Sequence, residues 1–170
     1  MIIDRNRADG LATAAGTRVL IIEARFYADL AEQMFEGARR VLDAAGAAWT
    51  RAWVPGSFEL PAALSFALEA EGGGWDGVIA LGCVIEGETD HYAHICREVS
   101  RALMDLAVDR GVPLGFGLLT CRTYAQALER ARLDGQDKGG DAARACLRMI
   151  ELKAALAGTA TAAGVRAPGA

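Results

Sequence analysis

Aromatic side chains make up only 6% of the 170 residues, although 52% of the chain is hydrophobic. A core must therefore be packed from Ala, Val and Leu, which suits an α/β domain and is too apolar for a disordered chain. No basic cluster is present and the net charge is −4, so nucleic acid is not an expected partner. No apolar run approaches the roughly 20 residues that cross a membrane. The segment Met1 to Arg7 lacks the long apolar core of a signal peptide. The four cysteines, Cys83, Cys96, Cys121 and Cys146, are widely spaced with no CxxC pair. Reduced, buried thiols in a cytoplasmic protein are the expectation. His91 and His94 face similar directions on a helix, but neither an HExxH pattern nor a cysteine cluster supplies a third ligand. No metal is expected. The dinucleotide, P-loop and α/β-hydrolase signatures are also missing.

What is present is an alternation of strand and helix. Thr17 to Glu23 reads as a buried strand, followed by a loop at Arg25, Phe26 and Tyr27. Leu30, Met34, Ala38, Val41, Leu42 and Ala45 recur at helical spacing over 28–45, and Gly46 is a natural stop. Trp49 to Val54 reads as a second strand; Pro55-Gly56 forces a turn, and a helix is expected from Phe58 to Glu71. Val78 to Ile85 is almost continuously apolar, the pattern of a strand buried on both faces of a parallel sheet. Thr89 or Asp90 is placed to cap a long helix ending near Arg110. A fourth strand is read over Leu114 to Thr120 and a short helix over Tyr124 to Ala131. A polar loop then runs from Arg132 to Gly140, and a last helix is expected from about Asp141 to Leu156. The expectation is a flavodoxin-like three-layer α/β/α sandwich with a four-stranded parallel sheet. Residues 1–16 would be an arm, loose or added as an edge strand, 17–157 the domain, and 158–170 a disordered tail.

If the strands are parallel, the residues after the first three converge on one rim, where open α/β sheets bind ligands. They bring Phe26; Ser57, Phe58 and Glu59; and the stretch Gly82 to His91. That set offers an aromatic face, a carboxylate, turn amides near a helix start and one histidine, a kit for a flat polar heterocycle with an anionic partner. Each has an ordinary alternative: an aromatic folded onto the core, a helix-dipole carboxylate, a surface histidine, and Cys83 as a small core residue.

Six ordered segments then resemble one family. Val54 to Pro61, reading VPGSFELP, and Gly82 to His91, reading GCVIEGETDH, resemble the corresponding motifs of the 6,7-dimethyl-8-ribityllumazine synthases. Arg25-Phe26, Gly111 to Thr120, Gln126 to Arg130 and Asp137 to Gly140 follow in the family's order. The similarity spans about residues 17–155. It implies condensation of 5-amino-6-(D-ribitylamino)uracil with 3,4-dihydroxy-2-butanone 4-phosphate, the penultimate step of riboflavin biosynthesis, with no cofactor. By resemblance, Phe26 stacks on the pyrimidine, and Ser57, Phe58 and Glu59 hold it, Glu59 at the ribityl hydroxyls. Cys83, Val84 and Ile85 contact the heterocycle. Glu88 and Thr89 offer amides to the phosphate, Arg130 pairs with it, and Lys138 is a supporting cation. His91 moves protons, and Phe116 comes from a neighbouring subunit. The resemblance also implies a homo-oligomer, a pentamer or a multiple of pentamers, and riboflavin synthase as a partner. Glu86 stands where a basic residue is usual and Tyr27 where Asn is common. The loop from Arg132 to Asp137 also departs from the family's pattern. Two other readings stay open here, a flavin or lumazine carrier without turnover and a flavodoxin-like FMN module.

Overall fold

The computed structural model describes residues 14–158. The expectations for most of the arm and for the tail from Thr159 onward lie outside the described residues. Four strands form one parallel sheet: β1 (Arg18–Ala24), β2 (Ala48–Val54), β3 (Gly77–Ile85) and β4 (Leu114–Cys121), in the order β2-β1-β3-β4. Among the described residues five α-helices accompany them: α1 (Ala28–Ala45), α2 (Leu60–Glu69) and α3 (His91–Asp109) between strands, then α4 (Tyr124–Ala131) and α5 (Lys138–Leu156) after β4. This is the expected flavodoxin-like three-layer sandwich.

The period of two along β1 decides the layers. Val19 and Ile21 join Leu30, Met34, Leu42, Cys146 and Leu147 in a core under α1 and α5, with Ala127 and Ala131 of α4 at its margin. Leu20, Ile22 and Ala24 point the other way, into a core with Leu60, Leu64, Val99 and Leu103 of α2 and α3. β3 is buried over its first seven residues, as its apolar run predicts for a central strand. Right-handed crossovers explain the helix placement. The chain steps from β1 to β2 on one side, then returns past β1 to β3 and on to β4, so α2 and α3 cover the face opposite α1.

Helix ends differ from expectation in three places. The turn after Gly56 is a 3₁₀ turn at Ser57–Glu59, and α2 proper starts at Leu60. Asp90 occupies the cap position of α3 but makes no side-chain cap; Thr89 Oγ1 instead accepts from the His91 backbone N–H, at 3.4 Å. The last helix begins at Lys138, three residues before Asp141, so Lys138 lies in the first turn of α5 and not in a loop. Asp137, at φ 45°, caps that helix by accepting from Gly140 N–H at 3.1 Å. Gly-Gly reads as a helix breaker, yet here it is a packing requirement. A Cβ on Gly139 would lie 1.9 Å from the Met34 carbonyl oxygen of α1.

Alanine at an open helical glycine would stabilise by about 1 kcal/mol. Gly139→Ala is expected to do the reverse, lowering stability by about 1–3 kcal/mol through overpacking against backbone. Urea denaturation measures this directly, and a gain in stability would contradict the close approach.

Candidate active site

The loops at the carboxyl ends of β1, β2 and β3 enclose a cavity of about 520 Å³. It lies where the strand order reverses between β1 and β3. Phe26, Ser57, Phe58, Glu59, Cys83, Val84, Ile85 and His91 all line it. Tyr27, Gly56 and Ile95 complete the wall and were not among the assigned site residues. Ile95 was legible as the residue four positions after His91, on the same helical face.

Each side chain is placed by a local constraint. Phe26 follows β1 directly, with 73% of its surface exposed and its ring meeting Tyr27 edge-on at 5.0 Å. It does not fold back onto the core. Glu59 Oε2 accepts from Gly56 N–H at 3.0 Å, so one oxygen fixes the turn. Ser57 Oγ is buried and, among the described residues, has no hydrogen-bond partner. Gly82 is what admits it, since a Cβ there would lie 2.9 Å from that oxygen. His91 opens α3 and is exposed at the cavity rim. Glu88 and Thr89 are exposed in the turn just before it.

Five assigned residues do not line the cavity of their own chain: Glu88 and Thr89, in the turn before α3, and Phe116, Arg130 and Lys138. Phe116 borders a separate apolar hollow with Met104, Val108, Met149 and Leu156. Arg130 lies in the last turn of α4, its guanidinium donating to the Gln126 carbonyl at 3.2 Å. Lys138 pairs with Asp141 at 2.9 Å. Glu86 lies 3.7 Å from the exposed Arg122 guanidinium, which offsets the negative charge introduced there.

Burial pushes the Cys83 thiol up to about 12, with the neighbouring Cys121, Cys96 and Asp29 adding to the effect. Cys83 is thus a neutral wall residue. The described residues contain no group of three His, Cys, Asp or Glu side chains able to hold a metal. They also contain no helix long and apolar enough to cross a membrane.

An open parallel sheet with a part-apolar cavity at its reversal point, walled by aromatic rings and with a histidine at its rim, defines a flavodoxin-like α/β protein with a candidate small-molecule site. Comparison with known proteins narrows this class. The sequence model of the 6,7-dimethyl-8-ribityllumazine synthase family matches residues 16–154. A 6,7-dimethyl-8-ribityllumazine synthase of Rhodopseudomonas palustris (strain BisA53) is 53% identical over 146 residues, covering 84% of this chain and 90% of that protein. The protein of that name from Afipia carboxidovorans is 47% identical over 156 residues, covering 90% and 96%. The 6,7-dimethyl-8-ribityllumazine synthase 1 of Rhizobium meliloti is 51% identical over 146 residues, covering 84% and 95%. The chain belongs to the 6,7-dimethyl-8-ribityllumazine synthase family.

Two outcomes follow from the cavity wall. An unpaired buried hydroxyl is costly, so Ser57→Ala is expected to raise stability by about 1 kcal/mol while weakening whatever the cavity holds; calorimetry and titration separate the two effects. The Cys83 and Cys146 thiols are both raised from 9.0 to about 12, chiefly by burial. Their folded values exceed the unfolded ones, so the stability they contribute is complete below the unfolded value. It is lost as pH rises from about 9 through about 12. The urea midpoint should fall over that range, and the Cys83→Ala, Cys146→Ala double variant should flatten the fall.

Proposed function

We propose that this protein condenses 5-amino-6-(D-ribitylamino)uracil with 3,4-dihydroxy-2-butanone 4-phosphate, releasing 6,7-dimethyl-8-ribityllumazine, phosphate and water. It is a transferase of riboflavin biosynthesis. The observation that carries this reading is the gathering of Phe26, Glu59 and His91 on one cavity in a chain about half identical to lumazine synthases.

The substrate amine attacks the ketone carbon and water leaves, giving an imine. The C–O bond to phosphate breaks, and ring closure expels a second water. Each step needs a proton moved near neutral pH, and His91 at the rim is the group for it. Phe26 stacks on the pyrimidine ring while Ser57, Phe58 and Glu59 hold it. The otherwise unpaired Ser57 hydroxyl gains a partner in that complex. Cys83, Val84 and Ile85 line the heterocycle's edge. The turn at Glu88 and Thr89, next to the start of α3, receives the phosphate. Much of the rate comes from holding two reactants together.

The remaining three residues, Phe116, Arg130 and Lys138, lie off the cavity of their own chain. We assign them to the wall that an adjacent subunit supplies, in a pentamer or a multiple of pentamers. The exposed apolar residues Met104, Val108, Phe116, Met149 and Leu156 are surface that such an assembly would cover. We place the enzyme in the cytoplasm, in keeping with four free cysteines, where riboflavin synthase would be the protein that takes its product.

A steady-state assay with both substrates tests the reading through lumazine absorbance. His91→Ala is expected to slow turnover by about 10²-fold, the low end of general acid–base help, because proximity survives. Arg130→Ala should raise the KM for butanone phosphate and leave pyrimidine binding alone. Pyrimidine binding without lumazine formation would replace the enzyme by a carrier.

A further inference from the structure

Among the described residues, Glu23 is the one charged side chain that is fully buried. It stands near the end of β1, on the face covered by α1, in line with Val19 and Ile21. A carboxylate at zero exposure is strongly disfavoured unless it is paired. Its partners come from two sides. Arg51 of β2 points one Nη2 at both Glu23 oxygens, at 3.0 Å each. Arg25 Nε lies 3.3 Å from Glu23 Oε1. Both arginines also face Glu32 of α1, at 2.5 Å from Arg51 and 3.8 Å from Arg25. The Arg51 guanidinium lies over the Phe35 ring, 3.6 Å from its centre.

Two positive and two negative groups thus tie together β1, β2, α1 and the loop after β1. Stability is a poor account of them, because apolar packing serves as well as a buried ion network or better. Their position is more telling. Arg25 is the chain neighbour of Phe26, whose exposed ring has no core to hold it. The Arg25 backbone N–H also donates to the Val54 carbonyl, at 3.0 Å. Val54 leads straight into the Pro55–Glu59 turn, the opposite wall of the cavity. The network therefore sits at the joint where the Phe26 wall meets the Ser57–Glu59 wall.

We propose that Glu23, Arg25, Arg51 and Glu32 are positioning residues that fix the Phe26 ring relative to the 55–59 turn and so set affinity for the pyrimidine substrate without touching it. The inference rests on the stacking role given to Phe26 above.

The test measures binding of 5-amino-6-(D-ribitylamino)uracil, and the KM for butanone phosphate, in Arg25→Met, Phe26→Ala and the double variant. Arg25→Met should weaken pyrimidine binding on the order of tenfold, within the range of coupled neighbours. The KM for butanone phosphate should stay within twofold, as should kcat at saturation. In the Phe26→Ala background, Arg25→Met should have no further effect. Glu32→Gln, on the open side of the network, should act in the same direction and more weakly, and serves if Arg25→Met folds poorly. If Phe26→Ala weakens binding while Arg25→Met and Glu32→Gln do not, the positioning role is overturned and the stacking role stands. Equal loss for both substrates, or an undiminished effect without Phe26, also overturns it, since that marks a purely structural network. If Phe26→Ala changes nothing, the stacking role itself falls and the proposal with it.

Discussion

Because β2 leaves β1 on one side and β3 pairs on the other, the loops at the carboxyl ends of β1 and β3 diverge and leave a crevice between them. That constraint precedes any particular side chain. It places the residue after β1, the turn after β2 and the end of β3 around one volume, and it brings the first turn of α3 to the same rim. The apolar alternation of β1 and the continuous burial of β3 hold those strands in register. The cavity inherits its geometry from the two best-packed strands in the molecule.

The division of labour follows from that placement. The end of β3 carries residues that line the cavity, such as Cys83 and Val84. Short turns carry groups that must direct a hydrogen bond, such as Glu59 on Gly56. The ionisable ring sits on a helix start, where water and protons can reach it. On the other face, the close approach of α1 and α5 through Gly139 makes a compact backing layer behind the sheet.

Much of this could be read from the residues. The strands, α1, α4 and the rim clusters were legible because each rests on local periodicity or on turn chemistry at Gly46 and Pro55-Gly56. The start of α5 was not legible. Gly139 and Gly140 signal a break locally, and only the approach of Met34 from a helix a hundred residues earlier shows why glycine is required there. Glu23 was passed over for a related reason. A lone acidic residue closing an apolar strand looks like the strand's edge, and the arginines that make it a buried hub come from a loop and from another strand. Phe116, Arg130 and Lys138 were named through the resemblance, and they find no place in the cavity of a single chain.

The raised Cys83 thiol has a consequence for its reactivity. The nucleophilic form of cysteine is the thiolate and not the thiol. A thiol with an ordinary ionisation is mostly protonated near neutral pH, and burial removes the small thiolate fraction that remains. Held neutral by burial, Cys83 gives the cavity a soft, polarisable wall. The packing that makes the wall apolar also keeps this thiol in its inert, protonated form.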